Sequence, residues 1–167
     1  GTLKGSGNVT GALTVSTQLA IGNSPGTTNF SGSLTLGALS TYLYDLTGGA
    51  APGLNSADLG DVAGDLTITA GSILDLVQLG TYTANNKFTL FAYDGTLSGT
   101  FMDTFSNVLT DGATFTDAGG IWRIDYNDTT AGANGGVSAS NTYVTITAVP
   151  EPNAAALLGG LDRKSVV

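Results

Sequence analysis

The chain has 167 residues, 41% hydrophobic and only 11% charged, with a net charge of −8. That apolar share can build a core, so the chain is not of the disordered class, and 5 Lys and Arg against 13 Asp and Glu leave no basic patch for nucleic acid. With no Cys and no His, disulfides, thiolate chemistry, the commonest general base and the commonest transition-metal ligand are all excluded. The 25 glycines are roughly twice the usual share of about 7%, which suits short strands between tight turns.

In chain order, the start Gly1-Thr2-Leu3-Lys4 shows neither Met nor a charged-then-apolar leader, and reads as the beginning of a C-terminal fragment. A pattern of apolar-x-Gly-x-Leu-Thr-apolar then recurs as Val9 to Val15, Phe30 to Leu36 and Val62 to Ile68. The copies lie 21 and 32 residues apart, a spacing typical of stacked repeats. Leu97-Ser98-Gly99-Thr100-Phe101 reads as a partial echo. Within each copy the Leu and the apolar residue two places on share a face, with Thr on the other, which is strand alternation. The Gly marks a corner that a side chain would hinder. One such segment cannot bury its own apolar face, so the copies are expected to stack, with Thr ladders outside.

Further strands are predicted at Ser72 to Val77, at Lys87 to Tyr93 before the turn signal Asp94-Gly95, at Ile121 to Tyr126 and at Thr142 to Thr147. Residues 127–141, rich in Gly, Ala, Asn and Ser, read as a loop. Aromatics gather between residues 82 and 126, as expected of a bulkier end piece. Last come Val149-Pro150-Glu151-Pro152 and the apolar, helix-prone run from Asn153 to Leu161. Residues 162–167 break that run and read as non-native sequence.

Two resemblances follow from these residues. Ala20-Ile21-Gly22-Asn23-Ser24-Pro25-Gly26-Thr27, with Phe30 to Leu36, resembles the bacterial autotransporter-associated β-strand repeat. The segment from Asp61 to Phe101 looks like the terminal piece that often follows such repeats. Val149 to Leu161 resembles the PEP-CTERM sorting signal, in which a Val-Pro-Glu-Pro motif precedes a membrane helix and a basic cluster. The resemblance implies an exosortase-type membrane protease as partner, transient membrane contact through the tail, and delivery to the bacterial surface or the exopolysaccharide matrix. Here the apolar run is shorter than the ~20 residues a full span needs, and Arg163-Lys164 does not match the basic cluster.

The candidate chemistry is thin. Asp58, Asp61 and Asp65 supply oxygen ligands, but their spacing fits no calcium loop, and Asp also forms turns. Asp94, Asp103, Asp111, Asp117, Asp125 and Asp128 are available for a hydrolytic carboxylate pair, yet nothing in the sequence pairs two of them. Trp122 and Tyr126, with Tyr93 and Phe91, are candidates for stacking on sugar rings; the competing reading puts Trp122 in a core. Asn8-Val9-Thr10, Asn29-Phe30-Ser31 and Asn127-Asp128-Thr129 match the glycosylation sequon at about chance frequency.

The expected fold is all-β: a right-handed parallel β-solenoid over residues 1–80, a β-rich cap over 81–147, and a truncated sorting tail over 148–161. The expected role is structural, without catalysis or a cofactor. A carbohydrate-binding or adhesive module is the alternative, and a fragment of a polysaccharide-active enzyme the third reading.

Overall fold

The computed structural model describes residues 1–22 and 25–151; from Pro152 onward, the greater part of the expected tail over 148–161 and the expected non-native 162–167 lie outside the described residues. Every regular element among the described residues is a strand. The chain runs four times through the same three sheets. The first circuit is β1 (Thr2–Gly5), β2 (Gly7–Val9) and β3 (Leu13–Val15), and the second is β4 (Gln18–Ile21), β5 (Thr27–Phe30) and β6 (Leu34–Leu36). The third is β7 (Thr41–Gly48), β8 (Leu59–Val62) and β9 (Leu66–Ile68), and the fourth is β10 (Ile73–Thr81), β11 (Lys87–Tyr93) and β12 (Leu97–Gly99). Sheet I has the order β1-β4-β7-β10 and sheet III the order β12-β9-β6-β3, both parallel throughout. Sheet II stacks β2-β5-β8-β11 in parallel, then continues antiparallel through β15 (Tyr143–Val149), β14 (Gly120–Asp128) and β13 (Thr114–Asp117).

The three Leu-Thr copies are adjacent strands of one sheet. Leu13, Leu34 and Leu66 stand in register, as do Val15, Leu36 and Ile68. Leu34, Leu36, Leu66 and Ile68 are buried, so each layer closes the apolar face of the next. Thr14, Thr35, Thr67 and Ser98 form the outward ladder, with Ser98 Oγ donating to Thr67 Oγ1 at 3.2 Å.

The repeat glycine is required by proximity. A Cβ on Gly32 would lie 2.6 Å from the Gly11 carbonyl carbon, and one on Gly64 2.7 Å from the Ser33 nitrogen. The backbone of one circuit presses on the next at this corner, leaving room for hydrogen alone. The next side chain along fastens the corner: Ser33 Oγ accepts from Asp65 N at 3.1 Å, and Asp65 Oδ1 from Thr96 N at 2.8 Å.

The fourth copy sits four residues earlier than the sequence pattern suggests. Leu97 pairs with Leu66, and Gly95 N donates to Gly64 O at 3.0 Å, so the copy is Tyr93-Asp94-Gly95-Thr96-Leu97-Ser98-Gly99. Asp94-Gly95 is thus a corner of the stack and not a hairpin turn. The layered region also runs past residue 80, through Gly99. It accommodates the aromatic end because bulk alternates between layers. Gly60 leaves space that the Phe91 ring of the next circuit fills, and that ring lies 4.8 Å from Tyr42. Tyr42 and Tyr44 are fully buried and donate to Leu90 O at 3.3 Å and Thr89 O at 2.7 Å, which satisfies their hydroxyls. Burial raises the pKa of both well above the usual phenolic value.

Beyond the fourth circuit, residues 102–117 and the antiparallel strands cover the stack. Leu74 N donates to Met102 O at 2.9 Å, and Leu76 N to Asp117 Oδ2 at 3.0 Å, so the edge of β10 is occupied.

Candidate functional site

Two features lie on or beside the outer face of sheet II: a polar ladder and a loop that ends it. Strand alternation turns Val9, Phe30 and Val62 inward and their predecessors Asn8, Asn29 and Asp61 outward. Asn29 Nδ2 donates to Asn8 Oδ1 at 2.9 Å, which aligns the first two amides. Asp61 continues the row. Its carboxylate accepts no hydrogen bond among the described residues, and its pKa is raised by partial burial and by the charge of Asp94.

The loop after β14 closes one end of this row. Asn134, buried, anchors it: Nδ2 donates to Asp58 O and Thr89 O, each at 2.8 Å, and Oδ1 accepts from Thr89 N at 2.7 Å. Gly132 packs so closely on β11 that a Cβ there would lie 2.5 Å from the Phe88 backbone. Ser138 Oγ donates to Tyr93 O at 2.7 Å, and Asp94 Oδ1 accepts from Ala139 N. Val137 is held at the loop tip, 79% exposed. Together these parts bound an open cleft of about 370 Å³ whose lining includes Asn8, Asn29, Asp61, Asp94 and Val137.

The residues singled out from the sequence are dispersed. Asp58 is buried, not on this face; its oxygens accept from Gly26 N at 2.9 Å and Asp45 N at 3.1 Å. Burial pushes its pKa up to about 7, the charge of Asp45 adds to this, and the two backbone N–H groups oppose it. Asp65 is at the corner described above, held below the usual carboxylate range by Thr96. Among the described residues no three such groups are arranged to hold a metal ion.

Trp122 and Tyr126 are interior. Trp122 is fully buried, 4.5 Å from Tyr82 by ring centroids, and its Nε1 donates to Asp117 O at 3.0 Å. Tyr126 is 2% exposed; its hydroxyl donates to Leu109 O at 2.9 Å and accepts from Phe101 N at 2.8 Å. Neither ring offers a face to a sugar in solution.

Most carboxylates of the end piece act as backbone acceptors. Asp103 takes Phe105 N and Asn107 N, Asp111 takes Tyr126 N, and Asp117 takes Leu76 N and Ala118 N. Asp128 pairs with Lys87 at 2.8 Å and accepts from Thr145 and Thr130, which holds its pKa down at about 2 despite burial.

Val149, which opens the Val-Pro-Glu-Pro segment, is the last residue of β15, paired with Ile121. Pro150 and Glu151 follow the strand, and Pro152 lies outside the described residues. No helix among the described residues is long and apolar enough to cross a membrane.

Asn8 and Asn29 are functional candidates that sequence reasoning met only as sequons. The signal was an extra position in the repeat: Asn-Val, Asn-Phe and Asp-Val precede the three corner glycines by the same interval. No family model, curated protein or solved structure matches this chain.

Proposed function

We propose that this chain is a structural protein of the bacterial surface or exopolysaccharide matrix, delivered there through a PEP-CTERM tail. It acts as a stiff spacer, a right-handed parallel β-solenoid whose layers carry load through backbone ladders. The observation that supports this is the in-register stacking of the circuits, in which Leu, Thr and Gly repeat at fixed corners. The right hand follows the general rule for crossovers between parallel strands of one sheet. The motif's place supports the sorting reading: β15 ends at Val149, and Pro150, which lacks an amide donor, leads the chain out of the sheet.

The test is fractionation of a host that carries an exosortase-type protease and expresses the full-length gene product. The wild-type protein is expected in the matrix fraction. Replacing Pro150, Glu151 and Pro152 with Ala is expected to retain it at the membrane. Identical distributions would refute the sorting role. A carbohydrate-binding or adhesive role is the second reading, favoured by the cleft on sheet II and not by Trp122. An enzyme is the weakest, since Asp103, Asp111 and Asp117 of the end piece are engaged in holding backbone and Asp128 is paired with Lys87.

A further inference from the structure

We propose that the cleft on sheet II binds a polysaccharide strand that bears amines, such as a glucosamine polymer. The inference takes its biological setting from the matrix reading above, but the site stands on its own geometry.

Asn8, Asn29 and Asp61 occupy the same register position in three successive parallel strands. Neighbouring strands are about 4.8 Å apart, close to the length of one pyranose unit, so the row offers one polar group per sugar. The bond between the two Asn side chains commits Asn29 Nδ2 and Asn8 Oδ1 to each other. The Asn8 amide donor and the Asn29 oxygen have no other partner among the described residues, and a pair of sugar hydroxyls can engage them. The exposed Val137 at the closed end gives an apolar contact for the C–H face of a ring.

The charge of the cleft chooses among saccharides. Asp61 and Asp94 face the opening together, and no Lys or Arg lines it. Asp94 has the Ala139 amide as a partner, while Asp61 has no hydrogen-bond donor among the described residues. A uronic acid would add a third negative charge to an already acidic molecule. An ammonium group would relieve the repulsion between the two carboxylates and supply the donors that Asp61 lacks.

Titration calorimetry on the purified chain at pH 7 tests this with three probes: a glucosamine hexamer, its N-acetylated counterpart and an oligogalacturonate. The glucosamine hexamer is expected to bind, the acetylated one about tenfold more weakly, and the uronate not at all. Asp61→Asn is expected to weaken glucosamine binding about tenfold, with the melting temperature unchanged. Asn29→Ala should weaken both amine and acetylated ligands alike. Binding that is indifferent to Asp61→Asn, equal binding of uronate, or no binding of any probe would overturn the proposal. So would heat from calcium chloride alone that Asp61→Asn abolishes, which would make the cleft a cation site. Because export plays no part in this measurement, failure of the sorting reading would leave its outcome unchanged.

Discussion

Replacing Gly64 with Ala probes the backbone contact on which the layering depends. The new Cβ would lie 2.7 Å from both the nitrogen and the Oγ of Ser33, and 2.9 Å from the Gly32 carbonyl carbon. Two of these three obstacles are backbone, so no side-chain rotation relieves the clash. The second and third circuits must part locally by about half an ångström or more to restore ordinary contact. That separation strains the bonds that close the corner, Leu34 N to Asp65 O at 2.9 Å, Ala63 N to Phe30 O at 2.9 Å and Asp65 N to Ser33 Oγ at 3.1 Å. Overpacking of about 1–3 kcal/mol, with weakening of bonds worth about 1 kcal/mol each, gives a loss of roughly 2–4 kcal/mol. For a domain of this size that is a drop of roughly 5–15 °C in melting temperature. Gly53→Ala is the control: its Cβ would meet nothing within 4 Å and its φ is not positive, so it should be neutral or slightly stabilising. Thermal unfolding followed by circular dichroism reads both. Gly64→Ala melting within 2 °C of Gly53→Ala would refute the reasoning.

Asn134→Ala leaves Thr89 N, Thr89 O and Asp58 O without the side chain that now joins them. The expected loss is about 3 kcal/mol, with faster amide exchange at Thr89 and Gly132 as the loop lifts from β11. Tyr126→Phe removes the hydroxyl shared by Phe101 N and Leu109 O and should cost about 1.5–3 kcal/mol in urea denaturation. Asp58 sets a pH dependence. Its folded pKa of about 7 lies above the ordinary 3.8, so the folded state holds the proton more tightly and stability falls as pH rises from about 4 to 7. The effect is on the order of 2–3 kcal/mol; denaturation curves at pH 4.5, 6 and 7.5 should show it, and Asp58→Asn should flatten it.

How far the fold can be read in the sequence depends on how each segment shows its period. The Leu-Thr copies are legible because a backbone requirement, the corner glycine, and a packing requirement, the alternating Leu, repeat together. The fourth copy is blurred because Ser98 and Gly99 replace Thr and an apolar residue, so the pattern could be placed on the wrong glycine. The strand β7 carries Tyr42, Tyr44 and Leu46 inward, yet the outward, half-buried Leu43 breaks its alternation. β1 and β4 are four residues each, too short for a period to emerge. Trp122, Ile124 and Tyr126 already share a strand face, and that inward periodicity outweighs the tendency of exposed aromatics to meet sugars. The cleft is harder to foresee. Asn8, Asn29 and Asp61 come together only through register, and Asp94 meets the Val137 loop across 45 residues of chain.

The antiparallel β15 gives the stack a direction. Any further layer added beyond the fourth circuit would need the open edge of β11, and β15 already holds it, while Met102 and Asp117 hold the edge of β10. End-to-end polymerisation requires two complementary ends on every molecule. A stack closed in this way beside its fourth circuit can take further parallel layers in the sheets of β10 and β11 only at the opposite end, next to the first circuit, so head-to-tail stacking of copies through those two sheets is blocked.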